Sequence, residues 1–350
     1  MALPFDLVRR TTTGPPALVA ADAMPQQWGR PRFTVSNTGT LVYVASESIK
    51  SVASVEWLDR TGRTTPIALP PGDYTSPRVS PDGTQLAIQI REAAADNRVG
   101  VFDLRRGSLT VFPIPGHSIR PVWGPDSRQI AFRSDRGTSE AAFLVAKIDG
   151  SGTRVLTTGP ITLSFPGCWS GDGGRLIGSG GPVVWAFRPG AAAMEGTLNI
   201  LERSSGRRDD AAASPRNDHL IAFRSTESGT SQVYLISDDE DGERQTVSTV
   251  GGTMPRWRGD GRQLFYRHGQ QLLVVDVLDT PRPSVSAPRP MVNLPGAVVA
   301  FDVDPAGDRF VIVRRAAPAA PANEVRVITN WWSVAAAREG AGKTADLARR

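Results

Sequence analysis

The turn Ser80-Pro81-Asp82-Gly83 is followed by the strand-like run Leu86-Ala87-Ile88, and this combination decides the fold. Variants of the turn recur along the chain at spacings of 44, 44, 46, 44, 44 and 46 residues. Proline presets the backbone angle φ of such a turn, aspartate bonds back to nearby amides, and glycine accepts a positive φ. The regular spacing indicates an internal repeat. The copies begin at Ser36, Ser80, Gly124, Ser170, Ser214, Arg258 and Asp304.

Each turn lies between two apolar segments of strand length. A residue typical of protein interiors precedes the turn, as Val79 and Trp123 do, and a β-prone run such as Ile130-Ala131-Phe132 follows it. A third strand comes next, and a weaker fourth leads into the following repeat, as at 153–157. Four antiparallel strands per repeat form one blade of a β-propeller. The sequence therefore predicts an all-β fold, a single β-propeller of four-stranded antiparallel blades.

The third strands are predicted from their apolar runs. In the first and last repeats they fall at Val55–Leu58 and Val325–Ile328. In the fourth repeat a long stretch rich in glycine and alanine, from Gly178 to Glu195, is expected to separate the second strand from a third strand at Leu198–Leu201.

Seven turns predict seven blades within one domain, residues 1–333. Six blades are the alternative, and they would require one repeat to be an appendage. The last repeat has no clear fourth strand after Trp331-Trp332, so we expect residues 3–20 to pair with the strands near 301–328 and close the ring. Such closure would remove two exposed sheet edges. Residues 334–350 are expected to form a flexible tail.

Composition excludes several classes of protein. The net charge is +5 over 350 residues, and the arginines are scattered, whereas a nucleic-acid-binding domain concentrates them in a patch or stripe. No apolar run is long enough to span a membrane. The amino-terminal residues lack the pattern of a signal peptide, so a cytoplasmic location is expected. A monomer is expected as well. The single cysteine, Cys168, is interpreted as a small core residue.

Motifs for catalysis or metal binding are weak, and no cofactor is predicted. The three histidines, His117, His219 and His268, fall in different repeats, which does not suit a Ser-His-acid triad. The acidic loop at 239–242 lacks the glutamate of a calcium loop, and the phosphate-loop-like tail at 337–344 lacks a following helix. The turn aspartates recur at one place in the repeat and are therefore predicted to cap turns: Asp82, Asp126, Asp172 and Asp260.

One column of the repeat is a candidate binding surface. The residues two positions before each turn are Thr34, Arg78, Val122, Cys168, Ala212, Arg256 and Asp302. This mixed, partly charged column is typical of the channel face of the innermost strand. Arg78 and Arg256, with Asp302 partly offsetting them, would favour an acidic segment of a protein partner or an anionic small molecule. The alternative is that these charges pair between neighbouring blades.

The repeats resemble a known family. The run from Pro121 to Arg136, which reads PVWGPDSRQIAFRSDR, resembles the repeats of bacterial TolB-like and WD-like propellers. The turns Arg216-Asn217 and Ala306-Gly307 depart from that pattern by lacking the aspartate. The segments 3–7, 39–44 and 330–332 are similar to the carboxy-terminal propeller of bacterial serine/threonine kinases, although no kinase motif is present. In a membrane-anchored kinase that propeller would lie outside the cytoplasm.

The resemblance implies a fold more than a function, because propellers carry many activities. The leading hypothesis is a non-catalytic module for protein interaction or ligand sensing. The alternatives are a propeller enzyme, a lyase or hydrolase with its active site on the channel face, and the gating propeller of a peptidase.

Overall fold

The structure is a computed structural model that describes residues 2–3, 5–17, 19–20, 33–44, 53–92, 97–138, 140–158, 164–192, 194–217, 219–238, 244–278, 284–315 and 325–333. The chain divides into two compact units. The ring unit comprises residues 51–316, and the terminal unit comprises residues 1–50 and 317–350. The predicted tail from 334 and the acidic loop at 239–242 lie outside the described residues.

Short antiparallel strands make up most of the described part of the ring unit, and five more occur in the terminal unit, as the alternation of β-branched, aromatic and turn residues predicts. In chain order they are β1 (Phe5–Asp6), β2 (Thr11–Thr12), β3 (Phe33–Val35), β4 (Leu41–Val44), β5 (Ala53–Asp59), β6 (Thr64–Pro66), β7 (Asp73–Val79), β8 (Gln85–Arg91), β9 (Asn97–Asp103), β10 (Ser108–Val111), β11 (Ser118–Trp123), β12 (Gln129–Ser134), β13 (Ala142–Lys147), β14 (Thr153–Thr158), β15 (Phe165–Trp169), β16 (Leu176–Gly180), β17 (Val183–Pro189), β18 (Gly196–Arg203), β19 (Arg208–Ala213), β20 (Leu220–Ser225), β21 (Gln232–Ser237), β22 (Gln245–Thr246), β23 (Thr253–Trp257), β24 (Gln263–His268), β25 (Gln271–Leu278), β26 (Ser284–Val285), β27 (Arg289–Asn293), β28 (Val298–Val303), β29 (Arg309–Arg315) and β30 (Val325–Ile328).

The ring unit is a β-propeller whose described residues form six blades. Blades 1 to 4 each take four consecutive strands, β7–β10, β11–β14, β15–β18 and β19–β22. Blade 5 contains β23–β27, and both β26 and β27 pair with β25. Blade 6 has the order β28-β29-β5-β6. The innermost strands β7, β11, β15, β19, β23 and β28 contact one another in turn, and β28 contacts β7, so the ring is closed.

The core of the ring unit lies between blades. One apolar cluster fills each of the six blade interfaces. Between blades 5 and 6, for example, Phe265 packs edge-on against Phe310 with ring centroids 5.2 Å apart. Each blade therefore depends on both neighbours for burial of its two faces, which explains why an open array would be unstable.

The seven-blade count is wrong, and the physical reason lies in how the ring closes. Strand β5 pairs with β29 over seven residues, from Ala53 opposite Arg315 to Asp59 opposite Arg309. The predicted third strand of the first repeat is thus the third strand of the last blade. Residues 3–20 do not close the ring, because β1 pairs with β2 and Ala2 bridges Ala17.

The predicted third strand of the last repeat lies in the other unit. Strand β30 pairs with β4, which in turn pairs with β3, and this three-stranded sheet carries the first turn motif. The first and last repeats have therefore exchanged their outer strands. A small core of Val19, Leu41 and Tyr43 supports the sheet. Gly39, with a φ of 87°, leaves room for Trp332, since a Cβ there would lie 2.6 Å from the indole ring.

The third strand of blade 3 does not lie where the sequence predicted it. This strand, β17, lies inside the glycine- and alanine-rich stretch that was expected to be a connection. Leu198–Leu201 belongs to the fourth strand, β18. Trp185 of β17 is fully buried and stacks on Phe143 of blade 2, with centroids 5.2 Å apart, so one aromatic residue supplies the packing that the small residues lack.

Candidate functional site

The innermost strands carry β-bulges that shape the channel face. The pairing register shifts just before Arg78, Val122, Ala212 and Arg256. Two residues before each of them the backbone is left-handed, with φ values of 51° to 57°, at Ser76, Arg120, Asp210 and Met254. A bulge inserts one extra residue and changes the direction of the side chains around it.

A cluster of five charged side chains lies on this face, and we call it the channel cluster: Arg78, Arg120, Asp210, Arg256 and Asp302. Nη1 of Arg120 lies 3.0 Å from Oδ1 of Asp210, and Nε of Arg256 lies 3.4 Å from Oδ1 of Asp302. Arg120 belongs to blade 2 and Asp210 to blade 4. Their ion pair therefore spans the channel face of blade 3, where the guanidinium of Arg120 lies 4.9 Å from the ring centroid of Phe165. A contact between blades 2 and 4 across blade 3 must lie inside the ring.

Arg78 is the arginine of the channel cluster whose charge is least compensated by a nearby carboxylate. Its Nη1 donates to the carbonyl of the preceding residue, Pro77, at 3.0 Å. Among the described residues, no carboxylate lies within ion-pair distance of it. Burial and the nearby charge of Arg256 lower the pKa of Arg78 to about 10, so the group is still protonated at neutral pH. Arg78 is half-buried, whereas Arg256 is 8% exposed.

The two aspartates of the cluster differ in their electrostatics. Burial opposes ionisation of Asp210, but the charges of Arg120, Arg256 and Arg78 outweigh it and hold the pKa below the usual value. Burial dominates at Asp302 and raises its pKa. The channel cluster thus contains three guanidinium groups and two carboxylates, and burial disfavours the ionised form of one of the carboxylates. Its net charge is therefore positive.

Asp302 also joins blades. Its Oδ2 accepts the backbone N–H of Val79 at 2.7 Å, across the interface where blade 6 meets blade 1. Cys168 occupies the same column in blade 3, and its Sγ accepts the N–H of Ala213 in blade 4 at 2.9 Å. Cys168 is half-buried and packs against the apolar cluster between blades 3 and 4, which agrees with its interpretation as a small residue of the core. Burial raises the pKa of its thiol to about 11, which keeps it protonated.

Of the three residues predicted for the channel face, Arg256 and Asp302 form an ion pair, and Arg78 lies near enough to feel both charges without being within ion-pair distance of Asp302. The pairing alternative therefore describes Arg256 and Asp302, and the binding interpretation stays open for Arg78. Sequence reasoning missed Arg120 and Asp210, because bulges bring a second column onto the channel face. The signal was available, since both residues lie four positions before a turn motif.

The turn aspartates bond to the backbone of their own turns. Oδ1 of Asp82 accepts from Ser80 Oγ at 2.6 Å and from the N–H of Thr84 at 3.0 Å. Oδ1 of Asp126 accepts the N–H of Arg128, and Oδ1 of Asp260 accepts the N–H of Arg262, each at 3.0 Å. Asp172 accepts from Ser170 Oγ and the N–H of Gly174. These carboxylates have the bonding pattern of turn caps.

The histidines do not form a common site. His219 Nδ1 lies 2.5 Å from Oδ1 of Asp238, and His117 Nδ1 lies 3.2 Å from Asn97 Nδ2. His268 belongs to blade 5. Within the ranges that the structure describes, no three side chains of the metal-binding types are grouped together. No helix in those ranges is long and apolar enough to cross a membrane.

Comparison with known proteins supports the fold. No family model matches the chain. A stretch of 109 residues is 28% identical to an uncharacterized peptidase, YuxL, of Bacillus subtilis (strain 168). That match covers 29% of this chain and only 16% of the peptidase.

Solved β-propellers superpose on most of the chain. A putative TolB from Agrobacterium tumefaciens gives a TM-score of 0.58 at 18% identity, covering 77% of this chain and 99% of that one. TolB from Acinetobacter baumannii gives 0.50 at 13% identity, covering 81% and 67%. A putative 6-phosphogluconolactonase from Bacteroides uniformis ATCC 8492 gives 0.51 at 14% identity, covering 80% and 96%. These likenesses show the propeller fold that the repeats predicted. The similarity to the propeller of bacterial kinases stays a prediction.

Proposed function

We propose that the chain is a non-catalytic binding module whose propeller channel receives an anionic group. The group is carried by a small molecule or by an acidic segment of a protein partner, and it contacts Arg78. In this proposal the module senses or docks its ligand, as the sensor part of a signalling protein would, and does not transform it.

The observation that carries the proposal is the imbalance of the channel cluster. Arg120 and Arg256 each have a carboxylate within 3.4 Å, and Arg78 has its neighbour's carbonyl instead. A partly desolvated guanidinium is costly without an anion, and a ligand carboxylate or phosphate would supply bidentate, charge-assisted hydrogen bonds. The ring walls would strengthen this attraction, because low-dielectric surroundings focus the field of one sign.

The chemistry of the same face supports binding over catalysis. A nucleophile needs an activated form, but the thiol of Cys168 is held protonated by burial. Asp302 is committed to the Val79 amide and Arg256, and Asp210 is committed to Arg120. A lyase or hydrolase on this face would have to break those contacts to release an acid or base.

Calorimetric titration of the full chain tests the proposal, with citrate, inorganic phosphate and a hexaglutamate peptide as probes at constant ionic strength. We expect at least one of these anions to bind and Arg78→Ala to abolish the binding. Arg128→Ala removes the same charge from an exposed turn of blade 2 and is the matched control, which should bind as the unaltered chain does.

A melting temperature accompanies each titration. Arg78→Ala loses a hydrogen bond to Pro77 and the longer-range attraction of Asp302 and Asp210, but it also removes the repulsion between Arg78 and Arg256, so its Tm should stay within about 2 °C of the starting value. Binding that survives Arg78→Ala, or fails for all three anions, would reject the channel as an anion site. A chain that cleaves a peptide or sugar substrate with dependence on Asp210 or Asp302 would instead favour the enzyme alternative.

A further inference from the structure

A second concave surface lies where the ring closes, away from the channel. It has a volume of about 680 Å³ and opens between blade 6 and blade 1, and we call it the closure groove. Trp57 and Arg309 line it from blade 6, and Phe102 and Leu104 line it from blade 1. Ile67, just after the short strand β6, completes the apolar part.

The floor of the closure groove is apolar and firmly packed. Phe102 is 2% exposed and Ile67 is 9% exposed, and both belong to the cluster between blades 6 and 1. Trp57 packs against the same cluster and is half-buried, so part of its indole is available to the groove. Because Phe102 and Ile67 are already buried, the apolar surface that a ligand can contact comes from the half-buried side chains of Trp57 and Leu104.

The rim of the closure groove is basic. Arg105 and Arg106 occupy the turn after β9, and Arg309 lies over the Trp57 ring with its guanidinium carbon 3.8 Å from the centroid. Asp82 is the one acidic residue of the lining, and its carboxylate is already taken by Ser80 and Thr84. Two of these arginines also have a carboxylate nearby, since Nε of Arg309 lies 3.3 Å from Oδ2 of Asp304 and Nε of Arg106 lies 3.9 Å from Oδ2 of Asp103. Arg105 is therefore the rim arginine with the least compensated charge, and it would attract an anion most strongly.

We infer that the closure groove is a binding site for a small organic anion: a flat apolar body, about the size of two aromatic rings, carrying one carboxylate, sulfonate or phosphate group. The body would lie on Trp57 and Leu104, and the acidic group would meet the rim, above all Arg105. A groove of this volume falls within the usual range of small-molecule sites, about 300 to 1,000 Å³.

A small molecule fits the closure groove better than an extended peptide does. A peptide would add to a sheet by pairing with an open strand edge, and the edge here is β6, which has three residues. The last of them is Pro66, which has no N–H to donate. The edge therefore offers too few hydrogen bonds for strand addition, and compact contacts with the apolar floor remain.

Binding of 8-anilinonaphthalene-1-sulfonate to the full chain tests the inference, because this probe joins two apolar ring systems to one sulfonate. We expect saturable binding and energy transfer from tryptophan to the probe. Arg105→Ala combined with Arg106→Ala should raise the Kd by up to about tenfold, since two exposed charge contacts together contribute at most roughly that much. Ala68→Trp, which fills the groove from its wall, should abolish the binding.

Two controls give the result its meaning. Arg128→Ala combined with Arg262→Ala removes two exposed arginines from turns of blades 2 and 5 and should leave the Kd unchanged. Arg78→Ala should also leave it unchanged, which separates this site from the channel. Equal probe binding in the chain with Ala68→Trp and in the unaltered chain would overturn the inference. Loss of binding in Arg78→Ala would overturn it too, because the probe would then occupy the channel.

Discussion

Two sheets of this molecule begin with the same turn motif and have different surroundings. In blade 6, Phe310, Val311, Ile312 and Val313 of β29 are fully buried between neighbouring blades. In the three-stranded sheet of the terminal unit, which contains β3, β4 and β30, four apolar side chains are 47% to 59% exposed: Phe33, Val35, Val325 and Val327. The turn motif therefore specifies a hairpin of two strands. Whether that hairpin belongs to a blade of the ring depends on which third strand pairs with it.

Leu58→Ala in β5 should have the largest effect on stability. Leu58 is fully buried against the cluster between blades 5 and 6, and removing a buried leucine side chain costs about 2 to 5 kcal/mol. Val327→Ala in β30 is the matched control, since Val327 is 58% exposed and the change should cost less than about 0.5 kcal/mol. Urea unfolding measures both values. The reverse order would mean that β30, and not β5, belongs to blade 6.

Arg256→Ala should have the next largest effect, because it touches the innermost strand of blade 6. Its loss leaves the buried carboxylate of Asp302 without its nearest cation, and breaking such a pair costs about 3 kcal/mol when both groups are buried. Arg78→Ala, in the equivalent column position of blade 1, should change the stability less, because Arg78 is not within ion-pair distance of Asp302 and its removal also relieves repulsion with Arg256. Thermal unfolding of the two variants compares them directly. Equal losses would contradict the division between a pairing arginine and a binding one.

Arg314→Ala tests the pairing of β29 with β5, because it removes an ion pair between side chains of the two strands. Nη1 of Arg314 lies 3.1 Å from Oε2 of Glu56, which is 8% exposed. Arg314 is itself partly exposed, so water would compensate Glu56 in part and we expect a loss of about 1 kcal/mol. Glu56→Gln combined with Arg314→Ala should recover part of the loss in a double-mutant cycle. Additive losses in the cycle would show that the two strands are not coupled here.

The smallest effect is expected at the turns. Hydrogen bonds from Ser170 Oγ and the Gly174 amide hold the pKa of Asp172 below its usual value. Its stabilisation is therefore complete above the unfolded pKa of about 3.9 and is lost as the pH falls through the lower folded value. Asp172→Asn should flatten the decline of Tm in acid. The terminal turn, Ser36-Asn37-Thr38-Gly39, lacks a carboxylate, so Asn37→Ala should leave the acid decline unchanged.

Much of the fold follows from local sequence, because turn chemistry and strand length are local properties. The turns at 80, 124, 170, 214, 258 and 304 each join the first and second strands of a blade, as predicted. Ring closure is not local, since Val55–Leu58 and Val325–Ile328 are equally apolar and either could cover β29. The strand β17 was missed for a related reason, because glycine and alanine mask a strand that is packed through Trp185.

The channel cluster was predicted only in part. Arg78, Arg256 and Asp302 share one offset from the turn motif and were found by counting. Arg120 and Asp210 reach the channel through bulges, and a repeat spacing does not reveal where a register shifts. That Arg256 pairs with Asp302 while Arg78 does not depends on the order of blades around a closed ring, which the spacing alone leaves open.

Disulfide trapping of blade 6 tests the central claim, that β5 closes the ring, most directly. Residues opposite each other on antiparallel strands have Cα atoms about 4.5 to 5.5 Å apart, within reach of a disulfide. In a chain with Cys168→Ser, we expect Ser54→Cys and Arg314→Cys to form a bond rapidly under mild oxidation, identified by mass spectrometry of the linked peptides. Arg314→Cys with Val325→Cys should form one far more slowly. Rapid bonding of the second pair and none of the first would contradict the six-bladed ring.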